Sequence, residues 1–189
     1  MEAHKRKRRW VIAAAVGAAV LGLGLVLFKP WLLFVDVRVD EQLPTVAASA
    51  VQTPPAPSAT SNPPSGTTKV PAGPVQLATG SLISHEHATT GTVRIIRQPG
   101  GARVLTLENL DTSNGPDVHV WLSAADVVEG TAGWFTAGSA EHVDLGVIKG
   151  NQGNQVYPIP EDVDLARYRS VDLWCVQFSV SFGAAQLAR

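Results

Sequence analysis

The feature that most constrains this chain is an uncharged apolar run, Trp10 to Phe28, directly behind the basic segment His4-Lys-Arg-Lys-Arg-Arg9. About 20 apolar residues rising roughly 1.5 Å each along a helix cover a hydrocarbon core of about 30 Å, so the run predicts a transmembrane helix. Trp10, Phe28 and Trp31 mark its two interfacial levels. Five basic residues precede the span and few directly follow it, which orients residues 1–9 as a cytoplasmic basic tip and exports the remainder. A cleaved secretory signal is the competing reading. Signal cores run to about 7–15 residues and end at a small-residue site. Here the nearest such site, Ala48-Ser49-Ala50, lies far beyond the run. The expectation is therefore an uncleaved, single-pass signal anchor over residues 10–35, in the bilayer of the cell membrane, with an extracytoplasmic C-terminal part.

Composition changes after the anchor. Residues 36–74 are rich in Pro, Ala, Ser and Thr, with prolines at 44, 54, 55, 57, 63, 64, 71 and 74. Such a stretch buries too little apolar surface to offset the entropy of ordering it, so it predicts a disordered stalk. In an extended polyproline conformation, at about 3.1 Å per residue, some 30 residues reach roughly 90 Å.

Residues 75–189 form a domain of ordinary size carrying twelve acidic and seven basic residues. With no basic face to neutralise phosphates, nucleic-acid binding is excluded as an expectation. Short runs rich in branched residues, 92–97, 102–108, 117–123 and 143–149, are separated by Pro99-Gly-Gly101, Ser113-Asn-Gly-Pro116 and Gly150-Asn-Gln-Gly-Asn154, which are turn chemistry. Asp162 to Tyr168 allow one helical turn. The fold class expected is all-β, a single β-sandwich or barrel-like domain.

The lone cysteine lies in Ser170-Val-Asp-Leu-Trp-Cys-Val-Gln-Phe-Ser-Val-Ser-Phe182. Read as one strand, this puts Trp174, Val176, Phe178, Val180 and Phe182 on an apolar core face and Cys175, Gln177, Ser179 and Ser181 on the other. A thiol on the more polar face lies near a surface or cleft, where it can react. The alternative is a cysteine acting as a small hydrophobe under a loop. Periodicity alone leaves the two open.

In order along residues 77–187, the pieces Gly80-Ser-Leu-Ile83, His87 with Gly91-Thr-Val93, Leu105-Thr-Leu-Glu-Asn-Leu110, Asn114-Gly-Pro-Asp-Val-His-Val-Trp-Leu122, Leu145-Gly-Val-Ile-Lys-Gly150, Gln155-Val-Tyr-Pro-Ile-Pro160 and Ser170 to Phe182 resemble the DM13 family. These are extracellular β domains proposed to act in electron transfer, at times beside haem-binding DOMON domains. The resemblance implies a redox role for Cys175, through the family motif that Trp174-Cys175 matches, and for no other residue. No C-x-x-C-H haem attachment site occurs, so the cofactor is unknown, and any haem or copper is expected from a separate redox or envelope partner.

Other residues carry weaker signals. Imidazoles and a thiolate suit copper or zinc, which makes His85, His87, His119 and His142 metal candidates beside Cys175. His87, whose histidine also matches the family, and His119 are the pair singled out. Asp117, after a turn, suits capping or a cation. Tyr157 and Trp121 read as packing aromatics. No G-x-S-x-G, H-E-x-x-H, P-loop or dinucleotide motif is present. A second function class is a non-catalytic binding or scaffolding module that uses residues 124–142, with Trp134-Phe135, as its contact surface. An unpaired exported cysteine also admits a disulfide-linked homodimer through Cys175.

Overall fold

In the computed structural model, residues 2–45 and 73–189 are described; residue 1 and residues 46–72, the bulk of the expected stalk, lie outside the described residues. Helix α1 covers Glu2–Phe28. Its Arg9–Phe28 part is long and apolar enough to cross a membrane. Lys29 ends it in a left-handed conformation, φ 40, and Pro30 opens a 3-10 turn over Pro30–Phe34. Proline is favoured at a helix start, where its missing N–H costs nothing.

Among the described residues nine strands follow: β1 Arg38–Asp40, β2 Val75–Ser84, β3 Thr90–Arg97, β4 Arg103–Asp111, β5 Val118–Ser123, β6 His142–Val147, β7 Gln152–Ile159, β8 Ser170–Cys175 and β9 Val180–Gln186. They form one sheet in the order β1-β7-β4-β3-β2-β9-β8-β5-β6. Strand β2 joins its halves, since Val75–Ser81 pairs with β3 while Leu82–Ser84 pairs with β9. The sheet curls into a half-barrel, so the inner faces of both halves meet. Ile95, Leu105, Leu107 and Tyr157 from one half share a single core with Val120, Leu122, Leu173 and Phe182 from the other. The all-β expectation holds, and the strands read from branched residues and turns correspond to β3, β4, β5 and β6. The turn read within 162–168 is a 3-10 turn, Leu165–Arg167, capped by the Asp164 carboxylate, which accepts from the Ala166 amide at 3.0 Å.

The sequence reading began the linker at residue 36, but the structure places Asp36 to Glu41 against the domain. Strand β1 pairs in parallel with β7, Arg38 opposite Gln152 and Asp40 opposite Asn154. The Val37 amide donates to Asn151 Oδ1 at 2.7 Å, and Asn151 Nδ2 donates to Asp36 Oδ1 at 2.8 Å. Glu41 accepts from Lys149 Nζ and, at 2.7 Å, from the Val156 amide. The Lys149 ammonium beside it, with that amide, holds the Glu41 carboxyl below its usual range. Two glycines make room for this strand. A side chain at Gly150 would collide with the Val37 carbonyl oxygen and one at Gly153, which has φ +97, with that of Val39.

The domain consequently meets the end of α1. Gln177 Nε2 donates to the Leu27 carbonyl at 2.7 Å, and the Phe28 and Phe178 rings stack with centroids 5.9 Å apart. Replacing Gly153 by alanine should detach β1, at a cost of about 1–3 kcal/mol from the strained φ and the collision. Hydrogen exchange at the amides of 37–41 should then speed up while β3 and β4 keep their protection; unchanged protection at 37–41 would show that β1 does not depend on this close approach.

Candidate functional site

The segment Ser170 to Phe182, read from its alternation as one strand, is a hairpin. Strand β8 stops at Cys175, residues 176–179 turn with Ser179 at φ 53, and β9 starts at Val180. The turn escapes sequence reading because it contains no Gly, Pro, Asn or Asp, and its Val176 and Phe178 continue the apolar rhythm. Those two side chains are not core, being 41% and 44% exposed.

The face assignment inverts within β8, whereas Val180 and Phe182 of β9 lie in the core as expected. Val171, Leu173 and Cys175 point into the main core, while Asp172 and Trp174 lie on the outer face, where Trp174 packs with Trp121 and Ala137. Every residue of β8 is buried, because the segment carrying Gly130–Gly133 and Ala137–Ser139 covers the outer face. Gly138 is part of that cover; any side chain there would run into the Trp174 indole. With both faces covered, a polar-versus-apolar rhythm no longer reports inside and outside.

Cys175 is a free thiol, 0% exposed, paired with Val118 on β5 and Val180 on β9. Burial pushes its pKa up, against the opposite pull of backbone amides of Phe178, Gln177 and Asp117, while the Asp117 carboxylate adds to the rise. The sulfur is a protonated thiol at neutral pH, and its lid is the turn 176–179. This is the reading of a cysteine beneath a loop rather than one on a polar face.

The histidines are each committed elsewhere. His87 Nε2 lies 2.6 Å from Glu86 Oε2, and its ring packs on Phe182 at a centroid distance of 3.9 Å. His119 is held from both sides, Nδ1 at 2.8 Å from Asp144 and Nε2 at 3.1 Å from Asp117. His142 stacks on Trp121 at 3.7 Å. Among the described residues no three or more His, Cys, Asp or Glu side chains converge as a metal site, so His87, His119 and Cys175 are not brought together in one. Trp121 and Tyr157 are buried packing aromatics. The Tyr157 hydroxyl donates to Gln155 Oε1 at 2.6 Å, and burial pushes its pKa up to about 12.

A buried polar chain that sequence reasoning missed runs behind β8. Ser181 Oγ lies 2.9 Å from Asp172 Oδ2 and 2.7 Å from His85 Nδ1, and His85 Nε2 lies 3.1 Å from the Val128 carbonyl. A carbonyl only accepts, so His85 Nε2 carries a proton. If Asp172 is ionised, Ser181 donates to it, and His85 must donate from both nitrogens as imidazolium. If Asp172 is protonated, it donates to Ser181, Ser181 donates to Nδ1, and every member is neutral. Burial favours the second arrangement at both ends: it lowers the His85 pKa and pushes that of Asp172 up to about 7. Asp172 Oδ1 and Trp121 Nε1, on residues paired across β5 and β8, are buried without a hydrogen-bond partner among the described residues. The available signal was a carboxylate inside the apolar run Val171-Asp-Leu-Trp174.

A family model described as Electron transfer DM13 matches residues 81–187, more than half of the chain. No curated protein and no solved structure matches it.

The Asp172 proton has a thermodynamic consequence. With its folded pKa raised from 3.8 to about 7, the folded domain keeps a proton that the unfolded chain has released over that interval. Its stabilising contribution is thus complete below about pH 4 and is lost as pH rises to about 7, at most about 4 kcal/mol by linkage. Denaturant titrations at pH 4, 6 and 8 should show the stability difference between the protein and Asp172→Asn shifting by a few kcal/mol in favour of the variant as pH rises. A pH-independent difference would mean that Asp172 is ionised throughout.

Proposed function

The chain belongs to the DM13 family, and from that premise we propose that it is an electron-transfer domain held at the outer face of the cell membrane, with Cys175 as its redox sulfur. The outward orientation is supported by the basic residues that precede the apolar helix. The observation that carries the reading is the place of the thiol. Cys175 sits at the end of β8 beneath the turn 176–179, and that turn touches the last helical turn of α1 through Gln177 and Phe178. The sulfur is therefore at the membrane end of the domain, one turn away from a partner arriving there.

A buried, protonated thiol is a poor nucleophile in solution, which argues for a ligand or electron-exchanging role toward a haem or copper centre carried by a separate protein. Binding such a centre displaces the thiol proton, so the raised pKa weakens it at neutral pH until the turn opens. A disulfide-linked homodimer through Cys175 needs the same opening. The second reading, a non-catalytic envelope-binding module, is favoured by Phe135, 59% exposed in the segment that covers β8.

Two measurements on the full chain in nanodiscs separate these readings. In the folded protein Cys175 should resist iodoacetamide, and Phe178→Ala should speed alkylation by roughly tenfold or more by loosening the turn. Voltammetry with added haem or copper should show a reversible couple that disappears in Cys175→Ser while the variant keeps its melting temperature. A couple of equal size in Cys175→Ser, or none in the unmodified protein with either cofactor, would reject Cys175 as the redox group and leave the binding-module reading.

A further inference from the structure

The end of α1 and the domain enclose a half-open cavity of about 500 Å³, within the range of about 300–1,000 Å³ usual for small-molecule sites. Its apolar wall is aromatic: Phe28 from the helix end, Trp134 and Phe135 from the cover of β8, and Phe178 and Phe182 from the β8–β9 hairpin. Its polar part is small. The His87 imidazole, held against Glu86, stands on one side, and Lys29 stands beside the helix end.

We propose that this cavity binds the headgroup of a lipid-soluble quinone, a neutral planar ring with two carbonyl acceptors on a long apolar tail. The inference rests on the electron-transfer reading and adds a binding partner to it. Position supports it first, because Phe28 closes the apolar span and so places the cavity at the level where the bilayer meets water, within reach of a carrier dissolved in the membrane. Shape and chemistry support it next. Aromatic rings offset-stack on a planar ring, and the Lys29 ammonium and the Asn114 amide on the wall offer donors to its carbonyls, while the His87 N–H is taken by Glu86. Charge selects it over a phospholipid headgroup: the Glu86 carboxylate on the wall repels phosphate, and among the described residues Lys29 is the one lysine or arginine on the wall. The proposal concerns binding alone.

The test uses the full chain in zwitterionic nanodiscs with decyl-ubiquinone as probe. Binding is read from saturable quenching of tryptophan fluorescence and from the infrared carbonyl band of the bound ring. Quenching should saturate, and the carbonyl band should shift to the lower frequency of a hydrogen-bonded ring. Lys29→Met keeps the stem of the side chain but removes the ammonium donor; it should weaken binding roughly tenfold and reduce the shift. Val180→Phe, which fills the cavity from β9, should abolish binding, and decanol at equal concentration should not compete. Absence of saturable quenching, equal competition by decanol, or binding indifferent to both substitutions would overturn the proposal. If Val180→Phe fails to fold, Lys29→Met decides by itself. Cys175→Ser separates the two readings: quinone binding that persists while no Cys175-dependent couple exists keeps the site and rejects the cysteine, whereas a Cys175-dependent couple without quinone binding rejects only the site.

Discussion

The covering of β8 on both faces governs the chemistry of this domain. One face carries Val171, Leu173 and Cys175 into the main core, and the other carries Asp172 and Trp174 under residues 128–140. A strand with one wet face would leave either the thiol or the carboxylate hydrated, with an ordinary pKa. Covered twice, it raises both, and each keeps its proton into the neutral range. Neutral forms are the cheaper solution inside a core, since burying an unpaired charge costs several kcal/mol. The outer cover is therefore a requirement of the site and more than decoration of the sheet.

A second constraint operates at the end of α1. Fewer than ten residues separate α1 from β1, so the pairing of β1 with β7 holds the domain against the helix end, at most about 35 Å away even if that segment were fully extended. The bulk of the stalk read from the sequence, residues 46–72, lies beyond β1 and outside the described residues. The contacts of Gln177, Phe178 and Asn114 with residues 27–35 agree with close apposition of the helix end and the domain. The apolar side chains exposed in this region, Phe28, Trp31, Val176 and Phe178, lie at the end of the apolar helix and in the turn that meets it.

Much of the architecture was legible because it is written in local chemistry. Branched residues between Pro-Gly-Gly and Asn-Gly-Pro turns marked β3 to β5 directly, and an uninterrupted apolar run marked α1. What escaped reading depended on tertiary context. Strand β1 is three residues long and acquires its meaning from glycines more than a hundred positions away, at 150 and 153. The β8–β9 turn is built from residues that a strand would also use. Cys175 stood out as the lone cysteine and took its redox role from the resemblance, but its environment was not legible, because alternation names two faces without saying what lies over either. The Asp172–Ser181–His85 chain needed the bulged register between β8 and β9, with Trp174 opposite Ser181, before its members could be seen as neighbours.

That chain also ties the cavity wall to the sheet. His85 meets the Val128 carbonyl at one end of the covering segment, and the Ser181 amide donates to the Trp134 carbonyl at 2.9 Å near its middle. Trp134 and Phe135 in turn form part of the cavity wall, while Ser181 contacts Asp172 from the opposite side. With Asp172 protonated, all hydrogen bonds along this path are satisfied by neutral partners and the cover is held at both points. Ionising Asp172 forces a choice between a buried imidazolium, whose Nε2 still donates to the Val128 carbonyl, and a broken Ser181–His85 contact that frees the ring from β9. One buried carboxyl and the two aromatic cavity residues are thus joined through Ser181, whose hydroxyl meets Asp172 and whose amide donates to the Trp134 carbonyl.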